Sequence, residues 1–426
     1  MTSPRLKVVL VGVNAPRYRS LALAYLHAYA ANDRRLGGVG ITTLDLDTDV
    51  DAWWVAYRVL ALDPDVVAFS VMCWNARAVA EAVRLIRAAQ PEVLIVLGGP
   101  EVGPIAEDVL AEQPAVDLIV RGEGEETFAD VLEATVSDRD LSRIPGVTAR
   151  RGERVVSAPD RPLVEDLDSL PSPYLTGVLT PAEGSTYLET YRGCPYRCAY
   201  CFEGKGYGRI RRFSQERVQA EIDHVLGAGV RTFSFIDPVF NLTRGRLEWL
   251  AGVLSPHVAR GVRLHTVEVD IERIDDEVAA LLSACGVASV ETGPQTVGVR
   301  ALAACNRTFD EAAFRTGVGV LRARGVSVES DLIIGLPGDT PGEVIEGMRF
   351  AVDTDPGAIQ MSTLHVLPGT DLWQHAEEMG LSFDHVAPHE VIATADMSFA
   401  DLRRLEVLGT ALQTAYRARV TQEVSA

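Results

Sequence analysis

The chain has 426 residues, of which 47% are hydrophobic and 23% charged, and its 40 basic and 59 acidic residues give a net charge of −19. This length predicts roughly two to three domains, and the composition excludes a disordered or low-complexity chain. The negative charge repels phosphate backbones and anionic lipids, so nucleic acid and membranes are not expected as partners. The first residues, Met1 to Lys7, show no long apolar segment, which favours a cytoplasmic protein.

The first part of the chain alternates short apolar runs with helical patterns. The predicted buried strands are LKVVLVGV, ITTLDLD, DVVAFSVM, VLIVLGG and VDLIVRG. This alternation predicts an α/β fold with a doubly wound, Rossmann-like domain over residues 1–136. Residues 137–183 carry prolines at 145, 159, 162, 171, 173 and 181, so we expect a linker that packs on the surface.

A second alternating series follows the linker. Its predicted strands are TYLETYRG, TFSFIDP, RLHTVEV, ASVETGP, SVESDLIIG and AIQMSTLHV, each followed by a helix or by a loop leading to one. Six such strands predict a partial parallel (β/α)6 barrel over residues 184–380, with its chemistry at the carboxyl ends of the strands. Residues 381–426 are predicted to form a small helical C-terminal region.

Three of the six cysteines, Cys194, Cys198 and Cys201, crowd into RGCPYRCAYCF directly after the first predicted barrel strand. This clustering indicates metal binding in a reducing compartment rather than a disulfide scaffold. Three thiolates satisfy three irons of a four-iron cluster, and the fourth iron then needs a small-molecule ligand. The alternatives are small buried hydrophobic residues or a zinc half-site. Core thiols are expected at the other cysteines: Cys73, Cys285 and Cys305.

This triad, with the aromatic Tyr200 just before its third cysteine, resembles the signature of the radical S-adenosylmethionine (SAM) superfamily. The resemblance implies that the open iron of a 4Fe-4S cluster chelates SAM, which an electron from the cluster cleaves to a 5'-deoxyadenosyl radical. SVETGPQT, DLIIGLPGDT and LPGT resemble the family's fourth-, fifth- and sixth-strand segments. The SAM-binding residues so implied are Tyr200, Asp237, Glu291, Gln295, Ile334, Gly335, Leu336, Pro337 and Pro368.

One segment departs from the family pattern. Many members carry a Gly-Gly-Glu stretch after the second barrel strand, which binds the amine of SAM, whereas this chain has FIDPVFN. Asp237 is the candidate to replace the glutamate, because a carboxylate facing an ammonium group forms strong charge-assisted hydrogen bonds. The alternative is a strand-end aspartate that caps the next turn.

The loops NAPRYR, SVMCWNAR, GGPEVG and RGEGEET are expected to line one crevice at the strand ends of the N-terminal domain. The spacing from Ser70 to the Gly98–Gly99 pair, and the GEGE run, resemble the cobalamin-binding domain fused to radical SAM enzymes. The cobalamin-binding residues so implied are Asn14, Pro16, Tyr18, Ser70, Val71, Met72, Trp74, Asn75, Gly98, Gly99, Pro100, Glu101, Gly122, Glu123 and Gly124. A nucleotide-binding domain, or a degenerate domain that binds nothing, is the alternative, although the first strand lacks G-x-G-x-x-G.

The loop after the first strand contains no histidine, and His27 lies within a predicted helix. The resemblance therefore implies cobalamin in its base-off form with no histidine ligand to the cobalt. Trp74 could cover the lower face of the corrin, or it could simply pack beneath a loop.

Together the two domains resemble the cobalamin-dependent class B methyltransferases. The resemblance implies methylation of an unactivated carbon of a small metabolite or natural-product intermediate, with an electron donor such as flavodoxin or ferredoxin. No general acid or base is assigned, although Glu203 and Tyr207 stand near the expected site. One alternative keeps the cofactors but leads to ring contraction, cyclisation or oxidation without methyl transfer. A non-catalytic cobalamin or iron–sulfur sensor is another, which the barrel segments disfavour.

Overall fold

The computed structural model describes residues 5–203 and 209–425, and the chain divides into two compact units. Unit 1 comprises Met1–Pro181 and Arg211–His224, and unit 2 comprises Ala182–Ile210 and Val225–Ala426. These limits differ from the predicted ones, because unit 1 continues through the predicted linker and takes in a segment from beyond the cysteine triad.

The sheet of unit 1 has seven strands among the described residues. They are β1 (Leu6–Asn14), β2 (Val39–Asp47), β3 (Val66–Ser70), β4 (Leu94–Gly98), β5 (Leu118–Val120), β6 (Val147–Arg151) and β7 (Arg154–Ser157). Their order across the sheet is β2-β1-β3-β4-β5-β6-β7, with β1 to β5 parallel and the last two antiparallel. The interior strand β1 is buried on both faces, since Val9 and Val11 join one core while Val8 and Leu10 join the other.

Helices cover both faces of this sheet. They are α1 (Leu21–Asn32), α2 (Ala52–Leu60), α3 (Ala76–Ala89), α4 (Ala106–Glu112) and α5 (Glu125–Val136). Buried residues of α2, α3 and α4 belong to one core, and those of α1 and α5 belong to the other. The doubly wound arrangement is therefore confirmed.

The region predicted to be a linker contributes two strands to the sheet. β6 pairs antiparallel with β5, and β7 pairs with β6 across a turn in which Gly152 adopts φ +60°. These strands are short and bear several arginines, so they lack the apolar run that revealed the other strands. Pro145 and Pro159 lie outside the two strands, where proline is compatible with the sheet.

The remaining strands are β8 (Tyr187–Leu188), β9 (Tyr191–Arg192), β10 (Arg211–Arg212), β11 (Thr232–Phe235), β12 (Arg263–Glu268), β13 (Val287–Gln295), β14 (Ser327–Ile334), β15 (Ala358–Thr363), β16 (Ser382–Phe383) and β17 (Val391–Ala393). In the described part of unit 2, six of them form a parallel sheet in the order β15-β14-β13-β12-β11-β8. This sequential order of parallel strands confirms the partial barrel.

The later helices are α6 (Gln215–Gly227), α7 (Arg244–Val258), α8 (Asp276–Ala284), α9 (Val299–Ala304), α10 (Glu311–Ala323), α11 (Pro341–Asp353), α12 (Asp371–Gln374) and α13 (Phe399–Ser425). The predicted C-terminal helix corresponds to α13, which packs on β15 where Gly409 approaches Met361. The C-terminal region is not wholly helical, because β16 and β17 pair antiparallel within it.

Candidate functional site

The strand ends of unit 1 line up at one edge of the sheet. In the strand register Gly12 of β1 stands beside Ser70 of β3, Ser70 beside Gly98 of β4, and Gly98 beside Val120 of β5. The four predicted cobalamin loops follow these strands and therefore open at the same carboxyl edge, where ligands of doubly wound folds bind.

Gly99 lets two of these loops approach each other. It adopts φ +111°, and a Cβ built on it would lie 2.4 Å from the backbone oxygen of Val71. The Val71 amide donates to the Gly98 carbonyl at 2.7 Å, and the Glu101 amide donates to the Val71 carbonyl at 3.4 Å. Only glycine fits this approach, so the residue is needed for the shape of the edge.

Asn75 ties the edge together from inside. Its side chain, 2% exposed, donates to the carbonyls of Val13 and Ser70 at 3.1 Å each and accepts from the Met72 amide at 2.9 Å. With these contacts the Asn75 side chain holds the loops of β1 and β3 rather than facing a ligand. Asn14, at the end of β1, donates to Asp45 at 3.3 Å.

Glu123 is likewise occupied within unit 1. Its carboxylate forms a buried, two-point ion pair with Arg211 at 2.8 and 2.9 Å and accepts from the Val164 amide at 2.9 Å. The implied contact of this carboxylate with cobalamin is therefore not supported by the geometry, because a buried ion pair cannot give up one partner without a large cost.

Two aromatic side chains at the edge are open to solvent. Tyr18 is 58% exposed and Trp74 is 56% exposed. The alternative that Trp74 packs beneath a loop is therefore wrong, whereas its contact with a corrin stays a prediction. His27, the one histidine in residues 1–181, lies in α1 with its Nδ1 3.1 Å from the Thr43 hydroxyl.

In unit 2 the cysteine loop is anchored at its middle. Cys194, Cys198 and Cys201 are free and half-buried. Between them, the amide of Ala199 donates to the Cys305 carbonyl at 2.9 Å, and its carbonyl accepts from the Leu372 amide at 3.1 Å. Burial raises the pKa of the Cys194 and Cys201 thiols to about 11, and the neighbouring thiols add to the effect.

The other cysteines agree in part with the prediction of core thiols. Cys285 and Cys305 are fully buried, which confirms it for them, and Cys73 is half-buried. Glu203 and Tyr207 received no acid or base role from the sequence. Glu203 lies two residues after Cys201, and Tyr207 lies outside the described residues.

The donor chemistry of the loop fits an iron–sulfur cluster, since three thiols lie on one short turn and the Cys201 amide donates to the Cys198 carbonyl at 3.1 Å. Over the described residues, no group of three or more His, Cys, Asp or Glu side chains is already arranged around a metal position. The cluster therefore remains a prediction from the cysteines.

Arg307, which the sequence analysis missed, stands beside this loop. Its guanidinium lies 3.6 Å from the Cys198 sulfur, donates to the Tyr200 hydroxyl at 3.0 Å and donates to the Gly293 carbonyl at 2.9 Å. The Tyr200 hydroxyl is thus held beside the cysteine loop, and contact of Tyr200 with SAM stays a prediction. A half-buried guanidinium here can bind a carboxylate.

Carboxylates form a row on one face of the barrel sheet. Glu268 of β12 stands in register with Glu291 of β13, and Glu291 stands in register with Glu329 of β14. Parallel neighbours in register point to the same face, so the three side chains lie together. Partial desolvation and the charges of Glu291 and Glu203 raise the pKa of Glu268 to about 7.

Asp331, two residues beyond Glu329, belongs to the same group. Its Oδ1 is buried without a hydrogen-bond partner among the described residues. Burial and then the charges of Glu291, Glu329 and Glu268 raise its pKa to about 9. Glu268 and Asp331 were missed because only the strand register shows that they adjoin Glu291.

The predicted segments at the ends of β14 and β15 offer backbone rather than side chains. Ile334 and Leu336 are no more than 1% exposed and belong to the core, and Pro337 and Pro368 are also buried. Gly335 adopts φ +97°, and a Cβ there would lie 2.7 Å from Val391. Any contact of these residues with an adenine is therefore limited to backbone groups.

Gln295 ends β13 in a strained conformation. Its φ is +64°, next to an irregularity in the pairing with β14 that places Gln295 beside Leu332. Such strain in a residue other than glycine is often found at binding sites.

The expected role of Asp237 needs correction. This side chain is 1% exposed, and its carboxylate accepts from the Thr190 amide at 2.7 Å and the Thr190 hydroxyl at 2.8 Å while it pairs with Arg246. Next to Thr190, the Tyr191 hydroxyl donates to the Val239 carbonyl at 2.9 Å and accepts from its amide at 2.8 Å. Asp237 therefore anchors the chain that leads into the cysteine loop and is not available to an amine, which agrees with a structural role at a strand end.

An α/β unit with an open carboxyl edge, followed by a parallel barrel unit with a cysteine triad after its first strand, is the arrangement expected of cobalamin-dependent radical SAM proteins. The B12 binding domain family matches residues 7–132, and the Radical SAM superfamily matches residues 188–351. The chain therefore joins a B12 binding domain to a radical SAM domain.

Curated relatives include enzymes of this class. The chain is 28% identical over 390 residues to the cobalamin-dependent radical SAM methyltransferase TokK of Streptomyces tokunonensis, covering 86% of this chain and 56% of the relative. It is 29% identical over 361 residues to the 2-(S-pantetheinyl)-carbapenam-3-carboxylate methyltransferase of Streptantibioticus cattleyicolor, covering 80% of this chain and 52% of the relative. The chain thus spans about half the length of these two relatives.

A relative of another activity is the anaerobic magnesium-protoporphyrin IX monomethyl ester cyclase of Cereibacter sphaeroides, 25% identical over 351 residues, covering 78% of this chain and 56% of the relative. Among solved structures, the methyltransferase TsrM of Kitasatospora setae, with cobalamin and a 4Fe-4S cluster bound, matches with a TM-score of 0.73 and 20% identity over 94% of this chain and 81% of that chain. At this identity the likeness shows the fold. Over residues 5–203 and 209–425, no helix combines the length and apolar character needed to cross a bilayer.

Proposed function

We propose that this protein is a cobalamin-dependent radical SAM methyltransferase that methylates an unactivated carbon of a small metabolite or natural-product intermediate. The observation that carries the proposal is the row of carboxylates beside the cysteine loop in unit 2. The presence of both domains in one chain, and of methyltransferases among the relatives, supports it.

In this proposal the cluster with SAM supplies a 5'-deoxyadenosyl radical, and cobalamin supplies the methyl group. Cys194, Cys198 and Cys201 hold three irons. Flavodoxin or ferredoxin is the proposed electron donor. Cobalamin is proposed to bind at the sheet of unit 1, and SAM at the barrel sheet of unit 2.

The charges of unit 2 suit SAM, which carries a sulfonium, an ammonium and a carboxylate. Glu268 and Glu291 offer negative charge to the two cations, while Asp331, whose pKa burial and then the neighbouring charges raise to about 9, is expected to release its proton when a cation binds beside it. Arg307 offers two N–H groups to the carboxylate. The backbone of Gly335 and Leu336 is left to meet the adenine.

At the carboxyl edge of unit 1, Gly98 and Gly99 let a large planar ligand approach the backbone. We propose that cobalamin binds there base-off, because the loop after β1 offers no imidazole and His27 is engaged with Thr43 in α1. The exposed indole of Trp74 then covers the lower face of the corrin and excludes water from the cobalt.

The test is mass spectrometry of products formed by anaerobically reconstituted protein supplied with SAM labelled in its methyl group. We expect 5'-deoxyadenosine and a product that carries the label. Because the substrate is unidentified, the probes are a carbapenam thioether and tryptophan, since relatives act on or bind such compounds. Protein that forms no 5'-deoxyadenosine with any probe and a strong reductant would refute the proposal in favour of a sensor.

A second candidate function has support from the cyclase relative. With the same residues and cofactors, the substrate radical would be oxidised or would cyclise without accepting a methyl group. The same experiment separates the two, because 5'-deoxyadenosine together with an unlabelled product favours this candidate.

A further inference from the structure

A chain of hydrogen bonds joins the turns that follow β13 and β14. Asp339, in the second turn, is 0% exposed, and its Oδ1 accepts from the hydroxyl of Thr296 at 2.8 Å. Thr296, 3% exposed, comes directly after Gln295, and its Oγ1 accepts from the Gly298 amide at 2.9 Å. The carboxyl of one turn therefore fixes the other turn.

Two glycines make room for this contact. A Cβ on Gly298 would lie 2.2 Å from Oδ1 of Asp339, so a side chain there would displace the carboxyl. In the second turn, Gly338 adopts φ +91°, and a Cβ on it would lie 3.1 Å from the amide nitrogen of Ala301. The two turns are thus in close contact, and there is no room for a side chain at either glycine without moving the turns apart.

The buried Asp339 carboxyl destabilises the folded state. Its Oδ2 is buried with no hydrogen-bond partner among the described residues, and burial raises the pKa of the carboxyl to about 7. A buried, unsatisfied oxygen lowers the free energy of unfolding, so this carboxyl stabilises the fold less than a fully hydrogen-bonded side chain would. Residues that break such rules are often kept for function.

We infer that Asp339 is a positioning residue that sets the spacing between Gln295 and the backbone of Gly335–Pro337. The backbone of Gly335 and Leu336 is proposed to meet the adenine, and Gln295 is among the residues implied to bind SAM, so the inference rests on the proposed function. Asp339 itself does not reach SAM, because it is entirely buried and its amide donates to the Leu336 carbonyl at 3.2 Å. Its loss should weaken SAM binding more than it slows turnover of bound SAM.

The test compares isosteric and conservative variants of the reconstituted protein. Thr296→Val removes the hydroxyl at nearly constant volume, whereas Thr296→Ser and Asp339→Asn keep the donor and the Oδ1 acceptor. Calorimetric titration with SAM should give a Kd roughly tenfold higher for Thr296→Val and within about threefold of wild type for the two conservative variants. At saturating SAM, 5'-deoxyadenosine formation by Thr296→Val should fall by less than about threefold.

Thr148→Val is the matched control. Thr148 is 0% exposed in unit 1, and its hydroxyl lies 3.0 Å from that of Ser157, so its loss removes a comparable hydrogen bond far along the chain. Thermal unfolding of all variants by circular dichroism keeps loss of fold apart from loss of affinity. We expect Thr148→Val to leave the Kd unchanged even if it melts as early as Thr296→Val.

The outcomes separate the two claims. Wild-type protein that does not bind SAM refutes the proposed function. If wild type binds and Thr296→Val either binds equally or weakens no more than Thr148→Val, the inference about Asp339 is overturned. It is also overturned if turnover of bound SAM falls as much as affinity does, or if Thr296→Ser and Asp339→Asn bind SAM as weakly as Thr296→Val does.

Discussion

The carboxyl edge of unit 1 and the open face of the barrel sheet in unit 2 use opposite kinds of groups. At the edge, glycines and backbone amides are combined with exposed rings such as Tyr18 and Trp74, and the nearby carboxylate of Glu123 is neutralised by Arg211. On the barrel sheet, Glu268, Glu291, Glu329 and Asp331 lie together, and burial with the charges of this group raises the pKa values of Glu268, Glu291 and Asp331.

This difference matches the ligands proposed for the two units. The corrin of cobalamin is broad and rimmed by neutral amides, so shape and backbone contacts decide its binding. SAM is small and carries two cationic groups, so electrostatics decide its binding. Substitutions that change shape should therefore act on unit 1, and substitutions that change charge should act on unit 2.

The largest effect is expected from the cysteine loop. Cys198→Ala removes one of three thiolates, so the protein should lose its cluster and its 5'-deoxyadenosine formation should fall below detection. Iron and sulfide analysis with electron paramagnetic resonance measures the loss. Cys285→Ala, which truncates a fully buried thiol of the same unit, is the control and should keep full iron content. Equal iron in both variants would contradict the cluster assignment.

The next effect tests shape in unit 1. Gly99→Ala forces a Cβ against the Val71 carbonyl and should raise the Kd for cobalamin roughly tenfold or more, measured by absorbance titration. Gly152→Ala is the control, because Gly152 also has positive φ but a Cβ there meets nothing within 4 Å. Both variants carry about 1–2 kcal/mol of backbone strain. Equal loss of cobalamin affinity would show that strain, and not the edge, is responsible.

Charge in unit 2 is tested by Asp331→Asn. If SAM binds against this row, its cation should draw the proton from Asp331, so the variant, which cannot ionise, should bind SAM roughly tenfold to a hundredfold more weakly. Ser330→Ala is the control from the other face of β14, where Ser330 is fully buried and its hydroxyl has no partner among the described residues. If both variants bind SAM as wild type does, the carboxylate row is not the binding surface.

More of the fold than of the two sites could be predicted from the sequence. The apolar periodicity of β1 and β14 is enough to predict these strands. The spacing of the three cysteines is enough to predict an iron–sulfur cluster. The hairpin of β6 and β7 was not predicted, because it contains no apolar run and is held by the antiparallel pairing of β6 with β5. Pairing partners are a property of three-dimensional register, which periodicity in one segment does not contain.

The same limit explains the errors at the site. Glu291 was predicted from its segment, yet its neighbour Glu268 comes from a different strand and is identified by register. Asp237 was misjudged because its partner Arg246 lies on the following helix, and burial of the pair cannot be seen in FIDPVFN. Arg307 lies one helix and one turn after Gln295 and far from Cys198 in the sequence. The two side chains become neighbours only in the folded protein, so the sequence alone did not predict their contact.

A smaller effect concerns pH and the stability of unit 2. The pKa of Asp331 is raised to about 9 from an ordinary value of 3.8, so the folded protein holds a proton that the unfolded chain releases. Stability from this group is complete below about pH 4 and is lost as the pH rises towards 9. The melting temperature without SAM should therefore fall between pH 6 and pH 9, and less steeply in Asp331→Asn. Parallel slopes would assign the dependence to other groups.

The smallest effect is expected at Trp74, the exposed aromatic residue at the carboxyl edge of unit 1. Because the indole is 56% exposed, Trp74→Ala should change the free energy of unfolding by no more than about 0.5 kcal/mol. If the ring covers the corrin, the variant should bind cobalamin roughly two- to tenfold more weakly and show a cobalamin spectrum with water on the lower face. Trp53→Ala, on the first turn of α2 and 68% exposed, is the control and should bind normally. A Trp74 variant indistinguishable from this control would leave the lower face of the cobalt to be covered by another group.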